Sequence, residues 1–132
     1  MKKYLFLIIL SYSLQSCQNN LNQLKKDDIT HIDVYYIPFS ILLPVEITGE
    51  QIKSNSIKTT INDSLEIHQI YDKLLLLKEV KNVDFINTGI YLRVDFYNNN
   101  KENLKLLFDK NHFKIGDDFY IKDKDLIELL IK

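Results

Sequence analysis

Residues 90–97 read Ile-Tyr-Leu-Arg-Val-Asp-Phe-Tyr, and no other stretch of the chain alternates so cleanly. In an extended strand successive side chains point to opposite faces, so a period of two sorts this segment into two lines. Ile90, Leu92, Val94 and Phe96 form the apolar line and face a core; Tyr91, Arg93, Asp95 and Tyr97 form the other. A helix would scatter both sets around its circumference. The chain must therefore build a sheet with one buried face, and the remaining segments must cover it.

Residues 30–37 set Ile32, Val34 and Tyr36 against His31, Asp33 and Tyr35, and read as another strand. Segments 57–61 and 104–108 read as two more, the latter reached through the turn Asn98-Asn99-Asn100-Lys101. Gly116-Asp117-Asp118 marks a hairpin between 113–115 and 119–121. The main helix is expected over about 64–79, with Asp63 as N-cap, Glu66 completing the start signal, and Ile67, Ile70, Tyr71, Leu74 and Leu77/Lys78 as its apolar stripe. Asp125 with Glu128 opens a short C-terminal helix over 126–131, and Thr48 with Gln51 forms a capping box for a shorter helical segment. Phe39-Ser40-Ile41-Leu42-Leu43, between Pro38 and Pro44, is expected to tuck under the fold as a core-filling loop; exposed, it would offer a patch to a membrane or a partner. The order β, β, α, β, β, β, β, α predicts an α+β domain: an antiparallel sheet, a meander of about four to six strands, with helices packed on one face. Residues 29–132 form this single domain.

At the other end of the chain, Lys2 and Lys3 precede an apolar run over 4–10, and Leu14-Gln15-Ser16-Cys17 follows. A basic start, a short apolar stretch and a small residue before a cut are the layout of a secretory signal. The tetrapeptide resembles the lipobox of bacterial lipoproteins. That resemblance covers residues 1–17 and implies cleavage before Cys17 and attachment of palmitate-type acyl chains to the new terminus. It also implies the outer membrane as the destination, because Gln18 rather than Asp follows the cysteine. The apolar run is shorter than the about 20 residues of a membrane span, so the lipid is the expected attachment. Cys17 is the only cysteine, and a thioether would consume a thiol that has no intramolecular partner. Residues 18–28 are polar and read as a tether; eleven residues reach at most about 35–40 Å.

Cleavage removes 16 of the 132 residues, leaving 116, and takes Lys2 and Lys3 with it, so the formal charge moves from −1 to −3. An evenly mixed, mildly acidic surface argues against nucleic acid as a partner, since phosphate backbones call for clustered Lys and Arg. His31-x-Asp33 puts two ligand-type side chains on one strand face, but a structural zinc site needs four ligands. Asp117, Asp118, Asp123 and Asp125 are interleaved with Lys122 and Lys124, and their spacing does not fit a calcium loop. There is no G-x-S-x-G elbow, and the three glycines form no phosphate loop. No metal is expected, and no cofactor beyond a covalent lipid on Cys17.

Two functions remain. The first is a non-enzymatic, lipid-anchored binding module of the cell envelope, engaging a protein or peptide through the face Tyr91, Arg93, Asp95, Tyr97 or through a sheet edge. Arg93 is the only arginine, and its fork holds a carboxylate bidentately; Tyr and Arg are enriched in interface hot spots. Cross-strand pairing on a solvent-facing side accounts for the same composition without a partner. The second is a small envelope hydrolase using carboxylates of the Asp117–Asp125 region.

Overall fold

The computed structural model describes residues 21, 24–42 and 46–131; Cys17, the lipobox and the rest of the signal segment lie outside the described residues, as do Leu43 and Pro44. Seven strands, β1 (His31–Tyr36), β2 (Ile57–Ile61), β3 (Glu79–Val80), β4 (Leu92–Asn98), β5 (Lys101–Phe108), β6 (His112–Ile115) and β7 (Asp118–Ile121), form one sheet. Its order is β2-β1-β4-β5-β6-β7-β3, with every pairing antiparallel. Helices α1 (Ser64–Leu75) and α2 (Lys124–Leu130) pack on one face, so the domain is α+β.

The meander β4-β5-β6-β7 follows from its turns. Asn99 takes φ 56° and Gly116 φ 59°, left-handed positions that Asn and Gly occupy most easily. Between β5 and β6, Lys110 sits at φ 83°, held there by Asp109, whose carboxylate accepts from Asn111 N–H (2.9 Å) and His112 N–H (2.8 Å). A bulge between Phe96 and Tyr97 sets Tyr97 opposite Glu102.

The helix-side core is the apolar line of the sequence made solid. Ile32 and Val34 of β1, Leu92, Val94 and Phe96 of β4, and Leu106 and Phe108 of β5 meet Ile67, Ile70 and Leu74 of α1 and Leu126, Ile127 and Leu130 of α2. The start of α1 is as expected: Asp63 accepts from Leu65 N–H (2.8 Å) and Glu66 N–H (3.1 Å), satisfying donors that a helix N-terminus leaves open.

The sequence reading needs correction in four places. α1 stops at Leu75 rather than near Glu79, because Glu79 and Val80 are drawn off as the edge strand β3 opposite Tyr120 and Phe119, and the Lys78 carbonyl accepts from Ile121 N–H. α2 is capped by Asp123, which accepts from Leu126 N–H, not by Asp125, and it spans Lys124–Leu130. Ile90 precedes β4 and packs on the opposite side of the sheet with Tyr35, Ile37, Ile52 and Tyr91. The tether is shorter than 18–28, because Leu21 and Leu24 are buried among the helix-side core residues and Leu24 O accepts from the Tyr71 hydroxyl at 2.8 Å. Of the segment between the prolines, Phe39 packs against both cores while Ile41 and Leu42 are exposed.

Candidate functional site

The face expected to carry Tyr91, Arg93, Asp95 and Tyr97 is not open. Residues 46–55 fold back over it: Ile47 bridges to Gly89, and Ile90 N–H donates to Ile47 O (3.0 Å). The capping box forms as read, with Thr48 N–H donating to Gln51 Oε1 (3.1 Å) and Gln51 N–H to Thr48 Oγ1 (3.2 Å). It starts a 3-10 turn (Gln51–Ser54) whose Ile52 is fully buried. A Cβ on Gly49 would stand 3.0 Å from Leu107, so glycine lets this cover lie close to β5.

Beneath the cover, Arg93 is 2 % exposed and Asp95 is fully buried. Arg93 Nε donates to Asp95 Oδ1 (2.8 Å), while Nη1 donates to Gly49 O (2.8 Å) and Glu50 Oε1 (2.7 Å). Glu102 lies 3.6 Å from Nη2. The hydrogen bond from Arg93, reinforced by its charge, holds the Glu50 carboxyl below the usual range. Among the described residues no donor reaches Asp95 Oδ2, and Lys53 Nζ stands 3.6 Å away.

Asp33 sits directly across from Asp95 in the β1–β4 pair, and like charges in that position repel. The fold offsets this locally. Asp33 accepts from Thr60 Oγ1 (2.7 Å) and has Lys58 Nζ at 3.7 Å; Lys53 and Lys58 also lie over the Tyr35 ring. The result is an ion network, buried at Arg93 and Asp95 and open at Glu50, that fastens residues 46–55 to the sheet. Glu50, Lys53 and Thr60 were missed in the sequence, and Asp33 was weighed only as a metal ligand with His31, because their convergence depends on strand order.

The two tyrosines part company. Tyr91 is buried, donates to Ile41 O (3.0 Å) and lies under Lys110 Nζ, 4.0 Å from the ring centroid. Tyr97 stacks on His31 (centroids 4.6 Å apart, 5° between planes) at the rim. Burial, with the carboxylates of Asp95 and Glu102 adding to it, pushes the Tyr97 hydroxyl up.

The carboxylates of the hydrolase reading do not converge. Asp117 is in the β6–β7 turn, Asp118 pairs opposite Ile115, Asp123 caps α2, and Asp125 lies 3.4 Å from Lys73. Among the described residues no three His, Cys, Asp or Glu side chains gather as metal ligands.

The sheet ends in two edge strands, β3 of two residues and β2 of five, and β2 is the longer. Nothing among the described residues pairs with the outer edge of β2. Ile37 N–H donates to Tyr91 O, so odd-numbered residues of β1 bond β4 and even-numbered ones bond β2. In β2 this assigns Ile57, Thr59 and Ile61 to β1 and directs the N–H groups of Lys58 and Thr60 outward. With this geometry in hand, comparison with known proteins gives no further guide: no family model, no curated protein and no solved structure matches the chain.

Proposed function

We propose that this chain is a lipid-anchored protein of the cell envelope, held at the outer membrane through Cys17, and that it acts as a non-enzymatic binding module which accepts an extended peptide segment along the outer edge of β2. The observation that carries the reading is the unpaired edge itself. α1 and α2 cover one face of the sheet and residues 46–55 cover Arg93 and Asp95 on the other, whereas Lys58 and Thr60 offer main-chain groups to a partner. An exposed row of N–H and C=O groups is a template for strand addition. Ile57 and Thr59 face one side of such an added strand, Lys58 and Thr60 the other, so pockets for alternate side chains follow from the pleat. The ion network supports the edge from behind, since Thr60 and Lys58 are both held by Asp33.

The test is cross-linking and pull-down of the full chain from the native envelope under fatty-acid labelling. Wild type and Lys58→Ala are expected to capture the same partner, whereas Lys58→Pro loses it, because proline removes the outward N–H without breaking a β1–β2 bond. Recovery of that partner by Lys58→Pro contradicts the edge, and label retained by Cys17→Ala contradicts the anchor.

A further inference from the structure

The proposed anchor and the packing of Leu21 and residues 24–28 bear on which end of the domain meets the membrane. Leu21 is 5 % and Leu24 4 % exposed, so the chain is already part of the fold at Leu21, four residues after Cys17. Four residues span at most about 14 Å, even fully extended. Contacts with α1 place the segment that follows. Asp27 lies 3.7 Å from His68, and Lys26 donates to Asp72 at 2.8 Å. With Leu24 O accepting from the Tyr71 hydroxyl, residues 24–27 run beside residues 68–72, toward the C-terminal half of α1.

That end of α1 is where the apolar surface collects. Leu75 is 50 % and Leu76 70 % exposed. Leu76 and Leu77 line a cleft with Ile121, the last residue of β7, which is itself exposed; Lys78, Lys122 and Asp123 complete its lining. The strand registers run Ile121 to His112, Phe113 to Phe108, Phe108 to Leu92, Leu92 to Tyr36, and Tyr36 to Ile57, so Ile57 and Ile121 stand on one rim of the sheet. Ile41 and Leu42, the latter 86 % exposed, follow β1 at the same rim, where Ile41 O takes the Tyr91 hydroxyl. Ile86 joins them through its N–H on Asp109, next to Phe108. Among the eight exposed large apolar residues described, only Leu65, at the N-terminal end of α1, lies elsewhere. Single exposed apolar side chains need no explanation, but a collection on one rim marks an interaction site.

We infer that this rim, with Leu76, Ile121 and Leu42 among its exposed apolar residues, rests on the lipid surface to which Cys17 is attached. The inference rests on the lipid-anchor reading, and a leash of about 14 Å keeps the domain close to the bilayer. The bilayer is thus the occupant, and the outer edge of β2 is left facing sideways, free for a partner. Short anchored domains gain binding when apolar surface supplements the acyl chains.

Lipidation would consume Cys17, so Leu76→Cys, Leu42→Cys or Asn100→Cys supplies the single free thiol in the full-length lipidated protein. Asn100 stands at the opposite rim, in the β4–β5 turn. Each variant is labelled with a fluorophore and reconstituted into vesicles of phosphatidylethanolamine and phosphatidylglycerol carrying brominated acyl chains. Loss of most of the fluorescence at positions 76 and 42, with that at 100 retained, is the expected result. Equal quenching at all three positions in protein that carries fatty acid overturns the orientation alone. A change at 76 that follows protein concentration rather than lipid assigns the rim to a second copy of the chain and also overturns it. Absence of fatty acid from the protein removes the anchor, and the inference with it.

Discussion

Arg93→Ala is expected to lower the unfolding free energy by about 3–5 kcal/mol, because it strands a fully buried Asp95 directly across from Asp33. Three sets of contacts vanish at once: the bond to Asp95, the bond to Glu50, and the bond to the Gly49 carbonyl that holds the cover down. Lys53, 3.6 Å from Asp95, offsets only part of the loss. Urea denaturation of the variant measures it. A double-mutant cycle gives the cause: Arg93→Ala with Asp95→Ala should cost clearly less than the two single changes added together, since removing both charges leaves none buried alone. Strict additivity would mean that the two side chains do not act as a pair.

Phe108→Ala is expected to cost a similar amount, about 3–5 kcal/mol, by a different route. Phe108 is fully buried, pairs with Leu92 on the strand beside it, and packs against Phe113 (centroids 4.8 Å apart) and Phe39 (5.5 Å). Its loss opens a cavity between the helix-side core and the segment that leads to Ile41. Leu76→Ser, on the exposed end of α1, should by contrast change stability by no more than about 0.5 kcal/mol. Parallel denaturation curves for the two variants check both magnitudes, and a comparable loss for each would mean that Leu76 is covered.

How much of this was legible in the sequence depended on how local each cause is. The strands and the start of α1 could be read because alternation and the Asp63 cap act within a few residues. The end of α1 could not, because β7, more than forty residues away along the chain, recruits Glu79 and Val80. Leu21 and Leu24, the two apolar residues at helical spacing in a polar stretch, were a signal that the tether was docked, yet only α1 shows where. The two lines of β4 were sorted correctly from Leu92 onward, and Arg93 was rightly set beside Asp95. What alternation could not supply was a lid. A polar face looks the same in the sequence whether water or another part of the chain covers it, and here Glu50 and Gly49 do. The uncovered edge was hidden for the same reason, since it follows from β2 pairing with β1 alone.

Amide hydrogen exchange along β2 tests that edge most directly, with no partner required. The Lys58 and Thr60 amides should exchange almost as fast as in an unfolded chain, and the Thr59 and Ile61 amides, bonded to β1, should be protected by orders of magnitude. Equal protection of all four would mean that another part of the protein already occupies the edge, and the proposed binding surface would not exist.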